Sequence, residues 1–247
     1  MKYKTICISD THLGSKDAKA DLLNNFLKHN TCDNLFLIGD IIDGWKIQQK
    51  KWKWSQSHSN VVRRILGMGK HGVNVTYITG NHDEFIRPFV KDIFSMGNIK
   101  ICNYTEYRDV DGNLLLITHG DMFDGITRLA PWIGFLGDKA YDLALWVNTH
   151  FNWWRHKMGF GYWSLSQYLK ARVKKGVDFI FKFETNVIEY ARRHNYDGVI
   201  CGHIHTPEIK TVDGMIYMND GDWVESCSAL VEHYDGRWEI IYWKDIK

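Results

Sequence analysis

No stretch of 18 uncharged apolar residues occurs in the 247-residue chain, so no membrane-spanning helix is expected. The N-terminus, Met1-Lys2-Tyr3-Lys4, runs straight into a strand pattern without the long apolar region of a signal peptide, which predicts a cytoplasmic protein. Cysteine is scarce and scattered: Cys7, Cys32, Cys102, Cys201 and Cys227 are odd in number and never form a C-x-x-C pair. That spacing indicates neither a disulfide framework nor a thiolate zinc site, and it predicts buried, reduced thiols. Only three prolines are present, leaving no Pro-rich linker, and no low-complexity tract or internal repeat is visible.

The 45% apolar and 24% charged composition is that of a folded protein, and the length suits one α/β domain with an elaboration. Net charge is only +2, but it is unevenly spread. From Ile126 to Arg193 there are eleven Lys/Arg against five Asp/Glu, together with five of the eleven Trp residues. Such a basic, aromatic stretch calls for a partner, although solvated helix faces and core aromatics would produce part of the same pattern.

Short apolar runs repeatedly end in a polar turn: Thr5–Ile8, Leu35–Ile38, Val75–Ile78, Leu114–Ile117 and Val199–Cys201. Continuous runs of this kind suit strands buried on both faces. Helical periodicity lies between them, in Leu22, Leu23, Phe26 and Leu27 and again in Val61, Val62, Ile65 and Leu66, so a layered α/β domain is predicted. After Thr206-Pro207 the pattern turns to short strands separated by Asp213-Gly214 and Asp235-Gly236, which read as hairpin turns. Between these parts, residues at about 125–195 read as a helical cap inserted into a single domain over 1–247, with a helix from Phe179 to Arg193 near its end.

Each buried run is followed by side chains that bind hard or borderline metals: Asp10 and His12, Asp40, Asn81 with His82, His119, and His203 with His205. In open α/β sheets the C-terminal strand edge is where ligands collect. Carboxylate, carboxamide and imidazole together suit Mn²⁺, Fe²⁺ or Zn²⁺. The pairs Asp10-x-His12 and His203-x-His205 have period two, which in an extended segment points both side chains to one face, so that both pairs can grip one site. Gly39, Gly80, Gly120 and Gly202 would allow sharp turns and close backbone approach beside the ligands. A single such block is more often a turn or a satisfied core group, whereas five in this order point to one shared site. His58, His71, His150, His156 and His194 lie outside the blocks and are assigned no metal.

The blocks Ser9-Asp10-Thr11-His12, Gly39-Asp40-Ile41-Ile42-Asp43, Gly80-Asn81-His82-Asp83, His119-Gly120-Asp121 and Gly202-His203-Ile204-His205 resemble the signature of calcineurin-like metallophosphoesterases over residues 5 to 206. The resemblance implies β-sheets flanked by helices and two divalent ions, Mn²⁺ first with Fe²⁺ or Zn²⁺ as alternatives. Asp10, His12, Asp40 and His205 would hold one ion; Asp40, Asn81, His119 and His203 would hold the other, with Asp40 bridging. The implied chemistry is two-metal hydrolysis, the ions lowering the pKa of a water that attacks phosphorus. His82 would stabilise the transition state or protonate a departing oxygen, with Asp83 orienting its imidazole; a plain hydrogen-bonding role for His82 is the alternative. Asp43 and Asp121, beside ligands, are read as orienters, with a simple turn role for Asp43 as the alternative.

Within that family the chain resembles the UDP-2,3-diacylglucosamine pyrophosphatases of lipid A synthesis, on Trp45, the His119-Gly120-Asp121 block, the long insert and Asn219-Asp220-Gly221-Asp222-Trp223. The resemblance implies a cap over acyl chains, with Trp132, Trp146, Trp153, Trp154, Phe160 and Trp163 lining an apolar groove. Trp45, Arg155 and Lys157 are the substrate candidates, with Arg172, Lys174 and Lys175 as further phosphate or headgroup contacts. One departure stands out: the lipid A enzymes carry Arg where this chain has His82, and since a phosphate leaving a pyrophosphate needs little protonation whereas an alkoxide leaving a phosphomonoester or diester needs more, His82 shifts weight toward other substrates. The partner expected is a phosphate-containing small molecule or lipid-linked nucleotide, with peripheral contact to the inner membrane through the cap. The alternatives are a general phosphatase, a phosphodiesterase or nuclease with nucleic acid on the cap, and a metal-free protein-binding scaffold.

Overall fold

The computed structural model describes residues 1–90, 94–96, 98–124, 180 and 182–245. The greater part of them forms one compact unit, Met1–Phe123 with Val187–Lys247. A first sheet orders its strands β12-β11-β1-β2-β3-β5-β4, with β1 Lys2–Ile8, β2 Thr31–Ile38, β3 Asn74–Ile78, β4 Phe94–Met96, β5 Ile99–Cys102, β11 Ser228–Glu232 and β12 Trp238–Tyr242. A second runs β6-β7-β8-β10-β9, with β6 Tyr104–Arg108, β7 Leu114–Thr118, β8 Gly198–Cys201, β9 Glu208–Val212 and β10 Met215–Asn219. The helices are α1 Ala20–His29, α2 Gly44–Gln48, α3 Gln56–Lys70 and α4 over 182–193.

The continuous apolar runs are explained by two cores, one on each face of the first sheet. Ile6, Ile8, Leu35 and Leu37 pack with Leu23, Phe26 and Leu27 of α1 and Val61 and Ile65 of α3. The alternate residues Cys7, Phe36 and Ile38 face the other way, onto Leu115 and Ile117 of β7 and Ile200 of β8. A strand between helices on one face and a sheet on the other has no water-facing side, so the polar alternation of a half-exposed strand is missing. All five cysteines are free thiols and buried. Both Asp-Gly pairs turn hairpins: Asp213 and Gly214 take φ of 48° and 80° between antiparallel β9 and β10, and Gly236 takes 86° between β11 and β12. Consecutive positive φ values are what the tightest hairpin turn requires.

Sheet direction positions the site. Strands β1, β2 and β3 are mutually parallel, as are β7, β8 and β10, so their C-terminal ends fall at common edges. The loops leaving those ends are laced together by backbone bonds, His12 N–H to Asp40 O at 2.9 Å, Gly202 N–H to His119 O at 3.2 Å and Asp220 N–H to Cys201 O at 3.2 Å. Among the described residues no helix is long and apolar enough to cross a membrane. Residues 125–179, where the sequence predicts most of a cap and which include Arg155 and Lys157, lie outside the described residues.

Candidate metal centre

All seven residues expected to bind metal sit in loops that follow β1, β2, β3, β7 and β8. Five of them hold left-handed backbone: Asp10 at φ 49°, His12 at 46°, Asp40 at 54°, His203 at 70° and His205 at 53°. Non-glycine residues avoid this region, and several together at one locus mark a place where geometry is held against local preference. The period-two pairs are therefore not the extended segments that the spacing predicts. They also serve different neighbours, for His205 Nε2 lies 3.1 Å from Asp10 Oδ1 whereas the His203 ring packs edge-on to His119, centroids 5.0 Å apart.

The glycines between ligands leave no room for a side chain. A Cβ on Gly80 would collide with Asp40 Oδ1 and backbone N, one on Gly39 with the His119 ring, and one on Gly202 with Ser9 Oγ and Asp10 Oδ2. Only bare backbone lets the ligand loops approach so closely.

Two groups of ligand atoms, each within 4.8 Å of one another, emerge: Asp10, His12 and His205, and Asp10, Asp40 and His119. His119 Nε2 stands 3.5 Å from Asp40 Oδ2 and 3.3 Å from Asn81 Oδ1, while its Nδ1 is fixed by the Ile38 carbonyl at 2.8 Å. That carbonyl can only accept, so Nδ1 carries hydrogen and Nε2 is the nitrogen that could take a metal. Two carboxylates, a carboxamide and four imidazoles make a mixed oxygen and nitrogen donor set that fits borderline divalent cations.

The charges agree with that chemistry. Burial acts to raise the Asp10 carboxyl, but the imidazoles of His205, His119 and His12 hold it well below the usual carboxylate range. Asp40, also buried, is held low by His119, His12 and His82. Burial acts to lower His205, yet Asp10 beside it lifts it to about 9, and His119 is likewise raised by Asp40 despite its burial. Carboxylates so placed favour positive charge among them, whether imidazolium protons or a divalent cation.

A third group, His12, Asp43 and His82, also falls within 4.8 Å. Here Asp43 is an orienter. Its Oδ1 accepts His82 Nδ1–H at 3.0 Å and Lys46 N–H at 3.2 Å, capping α2, and its Oδ2 lies 3.7 Å from His12 Nδ1. The orienting part expected of Asp83 thus falls to Asp43. Asp83 is buried elsewhere, accepting from Tyr77 Oη at 2.5 Å, Gly80 N–H at 2.5 Å and Ile41 N–H at 3.1 Å, and so ties the loop of Asn81 to that of Asp40. Trp45 stacks on the His82 ring, centroids 3.9 Å apart at 29°. Together with Ile47 and Phe85 this pair lines a cleft of about 140 Å³. Asp121 pairs with Arg87 through two contacts of 2.9 Å.

Ser9 and Asp220, both buried directly behind Asp10, were not singled out as site residues from the sequence. A signal existed in the polar run Asn219-Asp220-Gly221-Asp222 leaving β10, parallel to β8, whose next residue Trp223 donates its backbone N–H to Asp10 O at 3.1 Å.

The family model for calcineurin-like phosphoesterases matches residues 3–207. Curated relatives named UDP-2,3-diacylglucosamine hydrolase include one from Vibrio atlanticus, 22% identical over 92% of this chain and 93% of its own. Another, from Stenotrophomonas maltophilia, is 25% identical with the same coverage of both chains. A solved structure of a hypothetical protein from Pyrococcus horikoshii shares the fold, at a TM-score of 0.51 and 11% identity over 98% of this chain and 88% of that one.

Proposed function

The chain belongs to the calcineurin-like phosphoesterase family and is thereby a phosphoester hydrolase; on that premise we propose a binuclear enzyme that cleaves the pyrophosphate of UDP-2,3-diacylglucosamine or a close lipid-linked nucleotide. The observation that carries the two-metal reading is the placement of Asp40 within reach of Asp10 on one side and His119 with Asn81 on the other. Asp10, His12, Asp40 and His205 would hold one ion and Asp40, Asn81, His119 and His203 the other. Mn²⁺ suits this set first, with Fe²⁺ or Zn²⁺ as alternatives. When bound, the ions supply charge for the phosphoryl oxygens and lower the pKa of an attacking water.

The chain's own residues do the rest. With Nδ1–H committed to Asp43, His82 keeps Nε2 on the side of Asp40, 3.9 Å from its Oδ2, where it can hold or deliver a proton to a departing oxygen. Asp83 fixes the two loops that carry Asp40 and Asn81. The cleft of Trp45, Ile47 and Phe85 offers an apolar wall beside His82 for a lipid or base, which together with the relatives' names supports the lipid-linked substrate. Arg155 and Lys157 are proposed as anion contacts on the cap, and through the cap a peripheral membrane contact follows from such a substrate.

The test is direct. Purified protein with Mn²⁺ should release UMP from UDP-2,3-diacylglucosamine; no release under conditions that hydrolyse an aryl phosphate overturns the substrate while leaving the reaction class.

A further inference from the structure

Ser9 Oγ is surrounded by acceptors: Asp10 Oδ2 at 2.5 Å, Asp220 Oδ1 at 2.7 Å and the Gly221 carbonyl at 3.0 Å. A serine hydroxyl has one hydrogen to give. Two oxygen–oxygen approaches shorter than 2.8 Å each need a hydrogen between them, so a second proton must sit on one of the two carboxyl groups. Asp10 is the worse holder, because its Oδ2 also accepts His203 N–H at 2.9 Å and its Oδ1 faces His205 Nε2 at 3.1 Å. Asp220 is fully buried, and its second oxygen, Oδ2, has no hydrogen-bond partner among the described residues. An ionised carboxylate in that position would be a buried charge with half its acceptor capacity unmet, which is costly, whereas a neutral carboxylic acid would be tolerated.

We infer that Asp220 is a positioning residue of the metal centre: held neutral, it donates from Oδ1 to Ser9, and Ser9 in turn donates to Asp10 Oδ2. The relay occupies Oδ2 of Asp10 with two donors, Ser9 and His203 N–H, and leaves Oδ1 turned to His12 and His205. It thereby fixes which oxygen Asp10 offers to a cation. Burial also pushes the Asp220 carboxyl well above its ordinary range, in the direction the geometry requires. The absence of a side chain at Gly202 belongs to the same device, since a Cβ there would strike Ser9 Oγ and Asp10 Oδ2 together. The relay joins the loops that leave β1 and β10, with Ser9 and Asp220 211 positions apart in the chain.

The inference rests on the two-metal reading, and the experiment separates the two. Mn²⁺ alone is titrated calorimetrically into the metal-stripped full chain and into Ser9→Ala, Asp220→Ala, Asp220→Asn and the double Ser9→Ala/Asp220→Ala variant, with thermal unfolding followed for each. Loss of a group that orients a ligand typically costs about 10–100-fold in metal affinity. Asp220→Ala and Ser9→Ala should each weaken binding by at least about tenfold, and the double variant no further, because one relay is broken either way. Asp220→Asn, a neutral residue that can still donate to Ser9, should recover affinity to within about threefold of wild type between pH 6 and 8. If Asp220→Ala fails to fold, Ser9→Ala with Asp220→Asn still decides the matter. Wild-type affinity in Ser9→Ala, or an Asp220→Asn as weak as Asp220→Ala, overturns the relay while the two-metal reading stands. A wild-type chain that takes up no Mn²⁺ overturns both.

Discussion

The indole of Trp45 lies nearly parallel to the imidazole of His82, ring centroids 3.9 Å apart, while Asp43 holds the same imidazole by Nδ1. Two neighbours, one on the ring face and one on the ring edge, fix where Nε2 points. His82→Ala should lower kcat by about 10²–10⁴-fold, the usual range for a positioned proton donor, with Mn²⁺ content unchanged. Trp45→Ala should cost less, about tenfold in kcat, since Asp43 still holds the ring, and Trp45→Phe should restore most of it. Steady-state kinetics with parallel metal analysis checks both, and a His82→Ala enzyme of full activity removes His82 from the reaction.

Gly80→Ala tests the bridging place of Asp40. The added Cβ would meet Asp40 Oδ1 and backbone N, so the loop or the carboxylate must shift. If Asp40 is shared as proposed, both ions should bind more weakly and turnover should fall at least about tenfold, with a stability loss of about 1–3 kcal/mol from overpacking. Loss of one ion with retention of the other at full affinity would argue against a bridge.

The imidazole protons set a pH dependence. Asp10 raises His205 to about 9 in the folded chain, above the ordinary value near 6.5 that it has when unfolded. The sign follows: in metal-free protein this ion pair stabilises fully below about pH 6.5, and the contribution is lost as pH rises through about 9. A cation needs the neutral ring, so Mn²⁺ affinity should rise with pH over the same window, with about one proton released at this residue near pH 7. Calorimetry in buffers of different ionisation enthalpy counts that proton; affinity that falls with rising pH would contradict the assignment.

Much of this architecture was legible because burial leaves a plain trace. The five apolar runs became β1, β2, β3, β7 and β8, and the side chains expected to bind metal stand just beyond their ends, where ligands collect in open α/β sheets. What stayed hidden depended on backbone conformation and distant pairing. Nothing in Asp10-x-His12 announces φ values of 49° and 46°, so the alternation rule starts from an extended geometry that the chain does not adopt. Asp83 follows His82 directly, yet its partners are Tyr77, Gly80 and Ile41, whereas Asp43, thirty-nine residues away, holds the ring. The relay from Asp220 through Ser9 to Asp10 crosses two sheets and has no local signature.

His119→Ala removes a fully buried imidazole, proposed as a ligand, whose Nδ1 is already fixed by Ile38. It should abolish metal-dependent turnover while far-ultraviolet circular dichroism stays close to wild type. Retained activity would take His119 out of the ligand set.

Elemental analysis of the purified wild-type chain addresses the central claim most directly. The two-metal account predicts about two divalent ions per chain, removed by a chelator together with all hydrolysis of a phosphoester and restored with it by Mn²⁺. A chain that is free of metal and hydrolyses a phosphoester equally well with and without chelator would contradict it.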